Sequence, residues 1–446
     1  MAHEPLRLGA LPPEVFDKVF FELNTIRDLA NFILIARFAY RRFRARQQTI
    51  LFRVLHNELG PVLPDARFLF LFPYSDPAGK GQYYDWIHIM AGVYQNMLPW
   101  GKGQGLVLGP EGLGLLPRGE GQGVGGDLGL PPLRELTELC RTLRLINFIT
   151  DTYATAQLAS FTLVGGGGTP ATAPLSRRER HRIMQAFYRR QIVSNAWAST
   201  RRRAYWEDVD LHAFTNKRTE EGQSLGFFAA FDPWDMQLID HADYFIMTLC
   251  RALVHHAPGM VLGGGREISA HQFGNLHAHL DHLVRYLRNH RGVAEAAIGD
   301  WRAVKSTPHD ERVHKEFITR YQLIPMLPCW QGHWSQEDPE PILDRAERDR
   351  LLVDDFVGDR PGQVPFGWSD ALGGRYVRQY GGGLSDIPWL PEWEDMEKGW
   401  EHGCRIDLWR HAGFALWDGN RVEALKRLRK FEYFQTGFLL SAHNSL

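Results

Sequence analysis

The first sixty residues repeat apolar side chains three and four positions apart, a period that an α-helix satisfies and a strand does not. Leu11-Pro12-Pro13-Glu14 opens the pattern. Proline has no N–H to lose at a helix start and already holds the helical φ. Val15, Phe16, Val19, Phe20 and Leu23 then share one face, and Asn24 interrupts them. Thr25 stands where an N-cap is needed, with Asp28 three residues on, as in a capping box. Leu29, Phe32, Ile33 and Ala36 form a second stripe. Phe43, Ile50, Leu51, Val54, Leu55 and Leu59 form a third among basic residues. The spacing predicts three short amphipathic helices. A unit that small has too little core to stand alone, so it leans on a neighbour or a partner.

The order Leu-Pro-x-Glu and two apolar residues, an apolar helix, a break, then Asp28-Leu29 and a helix ending in Ala36-Arg37-Phe38-Ala39-Tyr40-Arg41-Arg42-Phe43 resembles the F-box. It is most similar to the F-box-like module at the N-terminus of many fungal proteins. The matching stretch runs from Leu11 to about Phe43, and Ile50–Gly60 with Leu63-Pro64-Asp65-Ala66 look like its usual continuation. Where the family carries Lys/Arg-Arg-Trp after a small residue, this chain has Arg37-Phe38-Ala39-Tyr40, without the Trp. The resemblance implies docking to the Skp-type adaptor of a Skp–cullin–F-box ubiquitin ligase. The positions that would make that contact are Leu11, Pro12, Val15, Phe16, Val19, Leu23, Leu29 and Ile33. The plainer reading is an N-terminal helical cap packed on the body.

The 446 residues divide on this reading into an F-box-like module over 1–60 and a helical body over 61–446. The expected fold is mainly α, with an irregular helical body and Gly-rich surface loops. A formal net charge of −1 gives no bulk electrostatic case for nucleic acid or an anionic membrane. Cys140, Cys250, Cys329 and Cys404 lie far apart and form no Cys-x-x-Cys pair, which fits a reducing compartment. The opening MAHEPLRLGALPP has no long apolar core of the signal-peptide kind, and no run approaches the roughly 20 apolar residues of a membrane span. The expected location is cytoplasm or nucleus.

Along the body, Gly101–Gly129 is dominated by glycine, and Gly165–Ala173 reads GGGGTPATA. Both are expected to be flexible insertions, near 101–130 and 165–173. Lys102 is followed by Gly103 rather than a hydroxyl residue, so the first does not make a phosphate-binding loop. Pro131–Phe161 reads as a helix through Leu136, Leu139, Cys140, Leu143 and Ile146. Ser176 and Glu179 make a capping box for another, carrying Ile183, Met184, Phe187 and Ile192. Its other face holds Arg177, Arg178, Arg180, Arg182, Arg189 and Arg190, read as a solvated face paired with local acids such as Glu207 and Asp208. Asp232-Pro233 starts a helix to about His256, through Met236, Ile239, Phe245, Leu249 and Leu253. Ile268–Asn289 is the next. After a Pro-, Gly- and Trp-rich region with one helix at Pro341–Phe356, Asn420–Phe434 is a basic amphipathic helix.

Catalytic chemistry is thinly marked. His271, His277, His279, Asp281 and His282 cluster in sequence, and His279 with His282, or His277 with Asp281, have a helical ligand spacing. No acid motif completes them, and half-buried polar partners account for such histidines as well. No nucleophile elbow or cysteine signature is present. Trp368, Trp389, Trp393, Trp400, Trp409 and Trp417 suit core filling or an interaction surface better than a cofactor box. Neither a cofactor nor a metal is expected. Three functions compete: an adaptor joining a Skp-type protein to an unknown protein target, a non-catalytic helical regulator with a structural cap, and a metal-dependent enzyme using the helix near 271–282.

Overall fold

The structure, a computed structural model, describes residues 12–35, 37–72, 92–94, 97, 130–165, 170–197, 217–218, 224–225, 233–256, 276, 279–300, 413 and 416–426. It is built from helices. The only strands among the described residues are two of two residues each, Lys217–Arg218 paired antiparallel with Ser224–Leu225. The chain divides into two compact units, Met1–Leu71 with Gln104–Leu145, and Phe72–Gly103 with Ile146–Leu446.

In the first unit the expected three helices are four: α1 (Pro13–Phe21), α2 (Ile26–Ile35), α3 (Arg37–Ala45) and α4 (Gln47–Leu59). A 3₁₀ turn (Gly60–Val62) and α5 (Leu63–Leu71) follow. The expected third helix is broken at Arg46, whose φ of −131° and ψ of 29° leave the helical region. Asp17 of α1 bridges α3 and this joint. Its carboxylate accepts hydrogen bonds from Arg42 of α3 at 2.9 and 2.6 Å and from Arg46 at the joint.

α4 organises this unit. Ile50, Val54, Leu55 and Leu59 on it are buried, as are Phe16, Phe20, Leu29 and Phe43 on the other three helices. Phe32 meets Phe20 edge-on at 5.1 Å, and Phe16 meets Phe38 edge-on at 4.9 Å. The polar residues of α4 finish its neighbours' ends. Asn57 donates to the carbonyls of Phe21 and Leu23 at 2.7 and 2.9 Å, where α1 runs out of partners. Glu58 accepts from the Ile26 N–H at 2.7 Å at the start of α2. Thr25 and Asp28 make the expected cap: the Asp28 N–H donates to Thr25 Oγ1 at 3.0 Å, and that hydroxyl donates to the Asp28 carboxylate at 2.7 Å. Helix α6 (Leu133–Gly165) supplies the remaining core of this unit through Leu136, Leu139 and Leu143. Arg67 pairs with its Glu135 at 2.6 Å, both buried.

The second unit is laid around α7 (Arg177–Trp197) and α8 (Pro233–His256). Ile183, Met184, Phe187 and Ile192 are buried, as are Ile239, Phe245, Leu249 and Leu253. The start expected at Ile268 lies outside the described residues; α9 runs Leu280–Asn289 and α10 Arg291–Asp300. His279, at the end of the expected ligand pair, is extended, with φ −125° and ψ 108°. The Leu280 N–H donates to Gln191 of α7 at 3.1 Å, so a distant amide oxygen takes over the N-cap's role. α11 (Gly419–Lys426) buries Val422 and Leu425.

The arginines of α7 depart from the expected solvated face. Arg189 and Arg190 are fully buried and pair with Asp235 and Asp243 of α8, the second at 2.9 Å. Arg180 bonds Asp151 and Asn147 at 2.6 and 2.9 Å, and Arg182 bonds Asp418. Four of the six arginines thus reach acids or amides of other segments, while Arg177 is exposed. Sequence neighbours could not show these pairs, because the acids arrive from positions tens to hundreds of residues away.

Candidate docking surface

The proposed adaptor contacts split into two sets. Phe16 and Leu29 are buried and hold α1 and α2 to the core. Val19, Leu23 and Ile33 are half-buried, Pro12 is exposed, and Val15 is 39% exposed. Leu11 lies outside the described residues. The α1 stripe is therefore shared: its inner edge, Phe16 and Phe20, is core, and its outer edge, Pro12, Val15 and the half-buried Val19, meets solvent.

Three large apolar residues that the helical period passed over are more exposed than Val15. Leu34 is 82% exposed, Ile35 65% and Tyr40 50%. The signal was present in the sequence. Leu34 and Ile35 are apolar residues outside the Leu29–Phe32–Ile33 stripe, and an apolar side chain off the buried face has no core to enter.

Asp17 holds the two ion pairs of the α1–α3–α4 joint. Its hydrogen bond from Arg42, supported by one from Arg46, outweighs the effect of its partial burial and holds its carboxyl below the ordinary value of 3.8. A depressed carboxylate pKa stabilises the fold above the unfolded value and loses that contribution as pH falls through the folded one. The α1–α3–α4 joint is thus expected to loosen below about pH 4. Thermal midpoints from pH 7 to pH 2.5 should fall less steeply for Asp17→Asn than for the native chain. Identical slopes would show that Asp17 does not carry the dependence.

The described part of the histidine constellation stays close in space but divides by burial. His279 is buried and precedes α9, while His282 is exposed on it and Asp281 is half-exposed. Burial first, then His282, pushes His279 down to about 4, so it is neutral at pH 7. Its ring lies 5.2 Å from that of His282, and His282 Nε2 lies 3.7 Å from Asp281. His277 lies outside the described residues. Among the described residues no group of three or more His, Cys, Asp or Glu could hold a metal ion. Burial pushes Cys140 up to about 11 and Cys250 up to about 12, so both are thiols rather than nucleophilic thiolates at pH 7.

In the second unit the polar residues build structure. Arg421 donates to both oxygens of Glu179 at 2.7 and 2.9 Å and to the carbonyls of Ala171, Ala173 and Pro174 at 2.5, 2.9 and 3.2 Å. The Pro170–Thr172 turn, expected in a flexible loop, is thereby tied down, and Ala171 is buried. Trp417 is fully buried, stacked on Tyr153 at 6.1 Å and edge-on to Phe161 at 5.8 Å, so it fills core and offers no surface. The other tryptophans of that cluster lie outside the described residues. No described helix is long and apolar enough to cross a membrane. No protein-family model, curated protein or solved structure matches the chain.

Proposed function

We propose that the chain is a protein–protein adaptor whose first helices dock a Skp-type protein of a cullin ubiquitin ligase, while its second unit recruits a protein target. The observation that supports this most is the outer edge of α1, where Pro12 and Val15 stay exposed beside a buried Phe16 and Phe20. A helix held by one edge and open along the other can add a partner without unfolding. Docking would draw on apolar burial, at about 25 cal/mol per Å² before ordering costs, with a few anchors dominating. A second reading, a purely structural cap, draws on the burial of Phe16 and Leu29 and on the α4 side chains that finish α1 and α2.

Val19→Asp separates the two. Val19 is half-buried, so the free chain should keep its thermal midpoint within a few degrees. In the complex the aspartate would be an unpaired buried charge, costing about 3–5 kcal/mol of affinity. Calorimetric titration of a purified Skp-type adaptor, with melting curves alongside, reads both. Weakened binding with an unchanged midpoint supports the adaptor. A collapsed midpoint favours the cap, and no binding by the native chain rejects the adaptor outright.

A further inference from the structure

The exposed apolar residues at the end of α2 adjoin an arginine stripe. Helix α3 holds Arg37, Arg41, Arg42 and Arg44 and no acid. Arg42 turns inward to Asp17. Arg37, Tyr40, Arg41 and Arg44 recur at helical spacing along the opposite face, and all four are exposed. Ala39 and Phe43, on the inner face, are buried. On α2 the outer stripe is Arg27, Asn31 and Leu34, all exposed, with Ile35 beside it. Of the outer arginines of α3, Arg44 has a neutral partner, Gln47 at 3.1 Å. Among the described residues no carboxylate forms an ion pair with Arg37, Arg41 or Arg44. The chain as a whole is nearly neutral, at −1, so this cluster is a local feature and not an overall basic character.

We infer that the α2–α3 face is an interaction surface for an acidic amphipathic segment of a partner protein, whose apolar side chains cover Leu34 and Ile35 and whose carboxylates meet Arg37, Arg41 and Arg44. Charge complementarity selects the occupant. A second copy of this chain would set arginine against arginine on this face, because a two-fold contact pairs like with like. A nucleic acid would answer the arginines but leave Leu34 and Ile35 without apolar cover. An acidic helix with leucines on one side supplies both. Guanidiniums suit carboxylates through paired hydrogen bonds, and Tyr40 gives an apolar ring with a polar tip at the boundary. The inference concerns residues other than the Pro12–Val19 edge, so it stands or falls separately from the Skp reading.

The test uses the full-length chain and a fluorescein-labelled 20-residue helical peptide of leucines at i, i+3, i+4 and i+7 with glutamates elsewhere. A peptide with lysine for every glutamate and a 20-nucleotide oligo-dT serve as comparisons, all read by fluorescence anisotropy. The acidic peptide should bind at least tenfold more tightly than the lysine peptide. Its affinity should fall at least tenfold in Leu34→Ser/Ile35→Ser and, independently, in Arg37→Glu/Arg41→Glu. It should also fall between 50 and 500 mM NaCl, as exposed charges require. All four substituted residues are exposed, so melting midpoints should hold in both variants. Absent or equal binding of the two peptides overturns the inference, as does undiminished binding in either variant. Oligo-dT binding more tightly than the acidic peptide, and lost in Arg37→Glu/Arg41→Glu, overturns it in favour of nucleic acid.

Discussion

Arg421→Ala should destabilise the second unit by about 3–5 kcal/mol, the cost of removing one partner from a buried ion pair. The side chains of Arg421 and Glu179 are 5% and 2% exposed, so water cannot replace either partner. Four other groups depend on the same guanidinium. The carbonyls of Ala171, Ala173 and Pro174 lose their donor, and the Trp417 ring loses a cation 5.3 Å from its centre. Glu179 would keep the Ser176 N–H at 3.0 Å and the Asp418 N–H at 3.1 Å, but its charge would be unbalanced. The effect should therefore exceed that of Ser176→Ala, which removes a cap worth about 1 kcal/mol and the hydroxyl bond to Asp418. Replacing both charges, as Arg421→Met with Glu179→Leu, should recover part of the loss, because an apolar pair leaves no charge stranded. Denaturant midpoints for the two singles and the double make this a cycle. If Arg421→Ala alone costs under 1 kcal/mol, Arg421 does not tie α11 to the start of α7 in solution.

That contact also shows what could be read from the sequence. The Ser176–Glu179 box was legible because its partners lie three residues apart: Ser176 donates to Glu179 and the Glu179 N–H returns to Ser176 Oγ at 3.1 Å. Thr25 with Asp28 was legible for the same reason. That Glu179 also holds an arginine 242 residues away was not, since nothing local distinguishes a cap glutamate with a second duty. The same holds for Arg189 and Arg190, whose acids sit on α8. Helical period also overran real boundaries. It ran across Arg46, which leaves the helical region and bonds Asp17, and across His279, where Gln191 supplies the cap. Arg291–Asp300 escaped notice because Gly292 and Gly299 weaken a short apolar pattern. In the docking region the pattern located the stripe but not its depth. Phe16 and Val15 are adjacent apolar residues, and only packing decides that one is core and the other surface.

The sharpest consequence of that division falls on Phe20. It is fully buried beside the half-exposed Val19, and its ring meets Phe32 of α2 at 5.1 Å, nearly perpendicular. Phe20→Ala should cost about 3–5 kcal/mol, from lost transfer energy and from the cavity left between α1, α2 and α4. The edge-on pair adds about 0.5–1.5 kcal/mol to what area alone predicts. Phe20→Leu, which keeps most of the volume but not the ring, should cost distinctly less. Because α1 has nine residues, it is too short to persist as a helix once undocked. Its end would also lose the Asn57 bonds to the Phe21 and Leu23 carbonyls. Amide exchange should then speed through the N–H groups of α1 from Val15 to Phe21 in Phe20→Ala, while the second unit keeps its protection. Phe20→Ala should also weaken any partner of the α1 outer edge, without touching it, whereas Val19→Asp weakens the partner and spares the fold. Exchange rates for α1 equal to native in Phe20→Ala would mean that α1 does not depend on this ring. The outer edge would then have to be positioned by something other than the packing of its neighbour.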